Sequence, residues 1–135
     1  MNAVDTNILL YVHDPRDPRK QAIAAELVES QADGALRWQV ACEYLAASRK
    51  LEPFGYGLAD AFRDIEDLRM VWHTVLPTWG VMGRTHQLMQ GYSVAFWDAL
   101  LVAACAEAAI RQLYSEDLSD GAEMDGVRIV NPFRA

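Results

Sequence analysis

Apolar positions recur along this chain with two different periods, and the changes between them mark its elements. A very short apolar lead, Asn2-Ala3-Val4, is followed by Asp5-Thr6-Asn7 and then by the run Ile8-Leu9-Leu10-Tyr11-Val12, a strand turning into a helix with a carboxylate at the turn. Residues 14–18 (Asp14-Pro15-Arg16-Asp17-Pro18) form a turn, because each proline biases its predecessor away from helix, and Pro18 is suited to the first position of the next one. That helix is predicted over 19–29, with Ala22, Ile23, Leu27 and Val28 on one face. After Asp33-Gly34 come a strand over 35–38 and a helix over 40–50 whose positions Ala41, Tyr44, Leu45 and Ser48 share a face, with Glu43 near its start.

Residues 53–57 read as a loop and 58–69 as a helix with Ala61, Phe62, Ile65 and Leu68 turned inward. A strand over 70–76 is closed by Pro77, and a helix over 78–90 ends at Gly91, a residue suited to a C-terminal cap. Residues 96–110 are rich in Ala and Leu and, apart from Asp98, apolar until Glu107, which predicts a buried helix. Strands over 111–115 and 127–130 flank an acidic, glycine-containing loop over 116–126. Short strands alternating with helices predict an α/β fold, a parallel sheet covered on both faces.

Composition narrows the class. The chain has 135 residues, 52% of them hydrophobic, and shows no repeat or linker, so one domain over 1–135 with a sizeable core is expected. No apolar stretch reaches the roughly 20 residues of a membrane span, and no basic segment precedes a cleavable apolar one, so a cytoplasmic protein without membrane contact is expected. Cys42 and Cys105 lack CxxC spacing and sit in apolar helical contexts, as buried free thiols would. His13, His73 and His86 are scattered without the spacing of a metal-binding helix. Tyr11, Trp72, Trp79 and Phe96 are core candidates.

The net charge of −7, from 12 Lys+Arg against 19 Asp+Glu, argues at first against a polyanionic partner. Acids that share a pocket with divalent cations present far less negative charge than their formal sum, so the balance does not exclude nucleic acid. Four acids stand where a charge needs a reason: Asp5 and Asp117 each follow a predicted strand, and Glu43 and Asp98 each sit early in a helix. Singly, each has a plain explanation as a helix N-terminal acid or a solvated loop residue. Together they fall at one edge of a parallel sheet, where ligands collect. Converging carboxylates repel one another unless cations neutralise them, and hard oxygen ligands suit Mg²⁺ or Mn²⁺. Such a site activates water for attack on a phosphodiester.

The residues Val4-Asp5-Thr6-Asn7, Glu43 within Val40-Ala41-Cys42-Glu43-Tyr44, Phe96-Trp97-Asp98-Ala99-Leu100, and Leu113-Tyr114-Ser115-Glu116-Asp117-Leu118-Ser119-Asp120-Gly121 resemble the PIN-domain ribonucleases, in particular the VapC-type toxins of bacterial toxin-antitoxin pairs. The resemblance spans essentially the whole chain. It implies a three-layer α/β/α sandwich with a mostly parallel central sheet, a Mg²⁺- or Mn²⁺-dependent endoribonuclease hydrolysing RNA with a metal-activated water, a homodimer, and a small antitoxin protein that blocks the acidic pocket. By this resemblance Asp5, Glu43, Asp98 and Asp117 are the catalytic metal ligands, Glu43 directly or through water. Asn7 and Thr6 position substrate or hold the acids, and Asp120 stands behind the fourth acid. One departure is Ala95, where the family often carries Ser or Thr three residues before the third acid; Ser93 is two residues out of register for that role.

Two other classes compete. Phosphoryl transfer to an aspartate also places an acid after the first strand, but a phosphatase of that kind needs a second Asp where this chain has Asn7, and a receiver needs a late Lys where none follows Lys50. A non-catalytic interaction module on the same fold would show no metal-linked stabilisation.

Overall fold

The computed structural model describes residues 1–134. Six strands form one sheet: β1 (Asn2–Val4), β2 (Gly34–Arg37), β3 (His73–Val75), β4 (Gln112–Tyr114), β5 (Glu123–Met124) and β6 (Val127–Val130), in the order β3-β2-β1-β4-β6-β5. All neighbours are parallel except β5, which pairs antiparallel with β6. The helices are α1 (Thr6–Tyr11), α2 (Pro18–Ser30), α3 (Trp38–Ala47), α4 (Leu58–Val71), α5 (Trp79–Tyr92) and α6 (Phe96–Glu107), with a 3-10 segment over Ser48–Phe54.

Strand periodicity divides the core. Ala3, Ala35, Leu113 and Ile129 face α5 and α6, whereas Val4 and Leu36, one position on, face α1 to α4. The two buried clusters on opposite faces of the sheet make the three-layer α/β/α sandwich expected from the sequence. The chain winds outward from β1 through β2 to β3 and then returns to place β4 on the other side of β1. The winding therefore reverses between β1 and β4, and such a switch point opens a crevice beyond the C-terminal ends of the two strands.

Local chemistry explains most boundaries. Pro18 opens α2 as predicted, with the Asp17 side chain accepting the Lys20 N–H at 3.1 Å. The Gly34 position is held by packing: a Cβ there would lie 2.3 Å from the Trp72 ring, and that indole is buried and donates to the Gln31 carbonyl at 3.2 Å.

Several expectations are corrected. Trp38 begins α3 instead of ending a strand, and α3 gives way to a 3-10 segment after Ala47, with Pro53 inside it. Residues 70 and 71 belong to α4, which shortens the predicted strand to His73–Val75. Helix α5 passes through Gly91 and ends at Ser93, which takes the left-handed conformation at φ 53°. The loop over 116–126 contains β5, joined to β6 by Asp125-Gly126, both at positive φ; an Asp-Gly pair between short apolar runs is the hairpin signal that would have found it. Phe62, placed inward by periodicity, is 51% exposed, and Trp79 and Phe96 are exposed as well, while Trp72 is buried and Tyr11 is half-buried against Phe133. Helix α6 is buried from Ala99 to Cys105 except at Leu101 and Ala104, which are half-buried, but its first turn is exposed. Cys42 is exposed; only Cys105 is the buried thiol expected, its pKa pushed up to about 11 by burial. Among the described residues no single helix is long and apolar enough to cross a membrane.

Candidate active site

The crevice between β1 and β4 is furnished by the residues that end those strands. Asp5 leaves β1 in an extended conformation and caps α1, its Oδ1 accepting the Thr6 N–H at 2.8 Å. Its backbone N–H reaches across to the Tyr114 carbonyl at 2.9 Å, tying the turn to β4. Its Oδ2 accepts the Ser115 hydroxyl at 3.1 Å. Burial pushes the Asp5 carboxyl above its usual range, and the nearby Asp117 charge adds to this; the Thr6 and Ser115 hydrogen bonds and the Arg37 charge pull the other way without cancelling it.

Ser115 is fully buried just past β4 and does double service, since its Oγ also accepts the Asp117 N–H at 3.3 Å. Asp117 in turn takes the Asn7 amide at 3.0 Å on Oδ2. A second branch starts at the neighbouring residue of α1: Thr6 Oγ1 donates to Glu43 Oε2 at 2.7 Å, and Gln39, one turn earlier on α3, donates to Glu43 Oε1 at 2.9 Å. Asp5, Thr6, Asn7, Glu43 and Asp117 are thus gathered at one edge of the sheet through consecutive residues of one turn.

Asp98 stands apart from this network. It lies in the exposed first turn of α6, and among the described residues it has no hydrogen bond or ion pair from its side chain. Because α6 ends just before β4 begins, it runs back against the strands and its first turn lies at the same edge as Asp5. Asp120 serves the C-terminal segment instead: it accepts the Asn131 N–H at 2.8 Å and lies 3.9 Å from Arg134. Ser115, Gln39 and Arg37 escaped the sequence reading. Ser115 could have been singled out as a hydroxyl at the end of a strand two residues before an acid, but a helical Gln four residues before an acid is too common to notice.

The donor set fits a hard divalent cation in kind. Asp5, Glu43, Asp98 and Asp117 supply carboxylate oxygens, and none of them is neutralised by a basic side chain in an ion pair among the described residues, although nine other ion pairs form there. The set is not gathered to coordination distance: among the described residues no three acids, histidines or cysteines are close enough to hold one ion.

The hydroxyl of Ser115 is expected to matter to Asp5 more than to the fold. In Ser115→Ala the Asp5 carboxyl loses a donor that favours its charged form, so its pKa moves further up. Carboxyl NMR titration measures this directly, and an Asp5 pKa that stays put or falls would contradict the assignment.

Comparison with known proteins identifies the family and the fold. The PIN domain family matches residues 3–119, and the chain belongs to that family. Among solved structures, a chain of a toxin-antitoxin complex from Klebsiella pneumoniae aligns with a TM-score of 0.70 at 20% identity, covering 98% of each chain. VapC20 of Mycobacterium tuberculosis, a toxin that cleaves the sarcin-ricin loop, aligns at 0.63 and 18% identity over 85% of this chain and 88% of its own. A chain of VapBC2 from Rickettsia felis, solved on a DNA fragment from its promoter, aligns at 0.64 and 10% identity over 95% and 96%. At these identities the likeness establishes the shared fold. No curated protein matches by sequence. PIN-domain nucleases generally use divalent metal ions.

Proposed function

We propose that this protein is a divalent-metal-dependent endoribonuclease and the toxin of a toxin-antitoxin pair, acting in the cytoplasm. The observation that carries the reading is the crevice at the β1/β4 switch point, where Asp5, Glu43 and Asp117 are held by Ser115, Thr6, Gln39 and Asn7 without a compensating ion pair among the described residues. Of these, Asp5 carries a burial cost on its charge, which a bound cation would offset. With Asp98 from α6 they would hold Mg²⁺ or Mn²⁺. A bound ion of this kind supplies charge to a phosphoryl group and makes water a better nucleophile. The reaction is hydrolysis: water oxygen joins phosphorus as the bond to one ribose oxygen breaks, leaving a phosphate and a hydroxyl end. The chain's own part is positional. Asn7 holds one oxygen of Asp117, Thr6 and Gln39 fix both oxygens of Glu43, and Ser115 couples Asp5 to Asp117.

RNA as substrate is supported by family membership and by the RNA-cleaving toxin of the same fold. A small antitoxin and a second copy of the chain are the proposed protein partners. Their support is the apolar surface left open in two places, on α4 at Leu58, Phe62, Met70 and Val71 and around the start of α5 and α6 at Trp79 and Trp97.

Metal binding is expected to raise the melting temperature. At a Mn²⁺ concentration about 100 times its dissociation constant, the native state gains roughly 2.7 kcal/mol. Differential scanning fluorimetry with and without Mn²⁺ reads this, and the shift should vanish in an Asp5→Asn/Asp117→Asn double variant. No shift in the unmodified protein would favour the non-catalytic module.

A further inference from the structure

Beside the acids lies a cavity of about 230 Å³ between the ends of β2 and β3 and the helices α5 and α6. Its walls are mainly apolar, with Leu76, Met82 and Leu100 among them, and Trp38, 54% exposed, stands at its margin. One residue in it is out of keeping. Arg37, the last residue of β2, is only 5% exposed, its Nε is buried without a hydrogen-bond partner, and it makes no ion pair among the described residues. A buried N–H left without an acceptor costs stability, and such a cost is usually met by a carboxylate or by a ligand.

The surroundings favour an anion. Arg37 is also the N-cap of α3, a helix of ten residues with neither a side-chain cap nor an acid in its first turn. The N-terminus of α5 reaches the same cavity at Thr78, again without a side-chain cap or a first-turn acid. Two uncapped helix N-termini and an unpaired arginine make a concentration of hydrogen-bond donors. The one acid in the lining, Glu107, is already held by Arg84 at 2.8 Å.

One residue links the cavity to the acids. Gln39 lines it and donates to Glu43. The Ala3–Ala35 pair sets the register of β1 and β2, so two positions further on Asp5 and Arg37 fall side by side on the same face. We propose that this cavity is a nucleotide subsite for single-stranded RNA, with the Arg37 guanidinium and the α3 N-terminus taking a backbone phosphate next to the scissile one and the apolar wall and Trp38 taking its base. This rests on the ribonuclease reading and gives it the cation that the net charge of −7 leaves scarce. A guanidinium forks onto phosphate oxygens, and aromatic faces accept bases without regard to sequence.

Titrating the full chain with nucleoside 5′-monophosphates, inorganic phosphate and phosphate-free nucleosides, followed by tryptophan fluorescence and calorimetry, tests the subsite apart from cleavage. Monophosphates should bind more tightly than either fragment, and Arg37→Gln should weaken them by about tenfold or more. In RNA cleavage the same variant should raise KM. Should the variant fail to fold, Met82→Glu sets a like charge at the half-exposed rim with Arg37 intact and should weaken monophosphate binding at least about fivefold. Monophosphate affinity unchanged in these variants, inorganic phosphate bound as tightly as nucleotides, or an acidic peptide held through Arg37 in place of any nucleotide would each overturn the subsite. Nucleotides bound through Arg37 by a chain that cuts no RNA would overturn the ribonuclease reading and leave the subsite standing.

Discussion

Asp5→Asn and Asp98→Asn are each expected to lower RNA cleavage by roughly 10³-fold or more in the presence of Mg²⁺ or Mn²⁺, because each removes a carboxylate charge from a set worth several kcal/mol to the reaction. Asn keeps the shape, so the fold should persist. The two variants should differ in stability, and the difference has a pH signature. Burial raises the Asp5 carboxyl pKa in the folded chain, so the folded state disfavours its charged form. Asp5 therefore costs stability at pH values above its folded pKa and ceases to do so below its ordinary value of 3.8. Without added metal, Asp5→Asn should melt at or above the parent protein near pH 7, and the gap should close as the pH falls through that window. Asp98 stands exposed in the first turn of α6 with no side-chain hydrogen bond among the described residues, so its replacement should leave the melting temperature nearly unchanged. Paired cleavage assays and melts over pH 3 to about 8 check both. Cleavage retained by either variant in metal-supplemented buffer would remove that acid from the catalytic set.

Gly34→Ala is expected to be the most disruptive small substitution in the sheet. The new methyl would sit 2.3 Å from the Trp72 ring, inside any normal contact distance. Trp72 is buried and tethered to the Gln31 carbonyl, so it has little room to retreat. Overpacking of this kind costs about 1–3 kcal/mol, a fall of roughly 3–12 °C in melting temperature for a domain of this size. Gly83→Ala supplies the contrast: nothing lies within 4 Å of a Cβ there, within α5, and the substitution should stabilise by about 0.5–1 kcal/mol through helix propensity. Chemical denaturation of both variants measures the pair. Equal effects from the two glycines would show that Trp72 is free to move.

Local periodicity was enough for the elements whose boundaries are local. Pro18 and Asp17 open α2, and the apolar run of α6 is a helix because Ala and Leu favour one and nearly every face of it is buried after the first turn. Where the reading failed, distant contacts decided. Trp38 and residues 70 and 71 are apolar and suit a strand in isolation, yet α3 and α4 claim them. Phe62, Trp79 and Phe96 are exposed although their residue types suit a core, because burial depends on which face another element covers.

The candidate site divides in the same way. Asp5, Glu43, Asp98 and Asp117 could be chosen from the sequence because a carboxylate at the end of a strand or the start of an apolar helix is out of place there, and their order along the chain resembled one family. By itself the sequence determined the α/β class and the family, and it singled out the acids as candidates. Only the tertiary structure decided that β1 lies between β2 and β4: the β4 side puts Ser115 between Asp5 and Asp117, and the β2 side ties Thr6 to Glu43 and sets Arg37 beside Asp5. The reason is physical: hydrogen bonds and desolvation act over a few ångströms, and the residues they join here stand up to 110 positions apart in the chain.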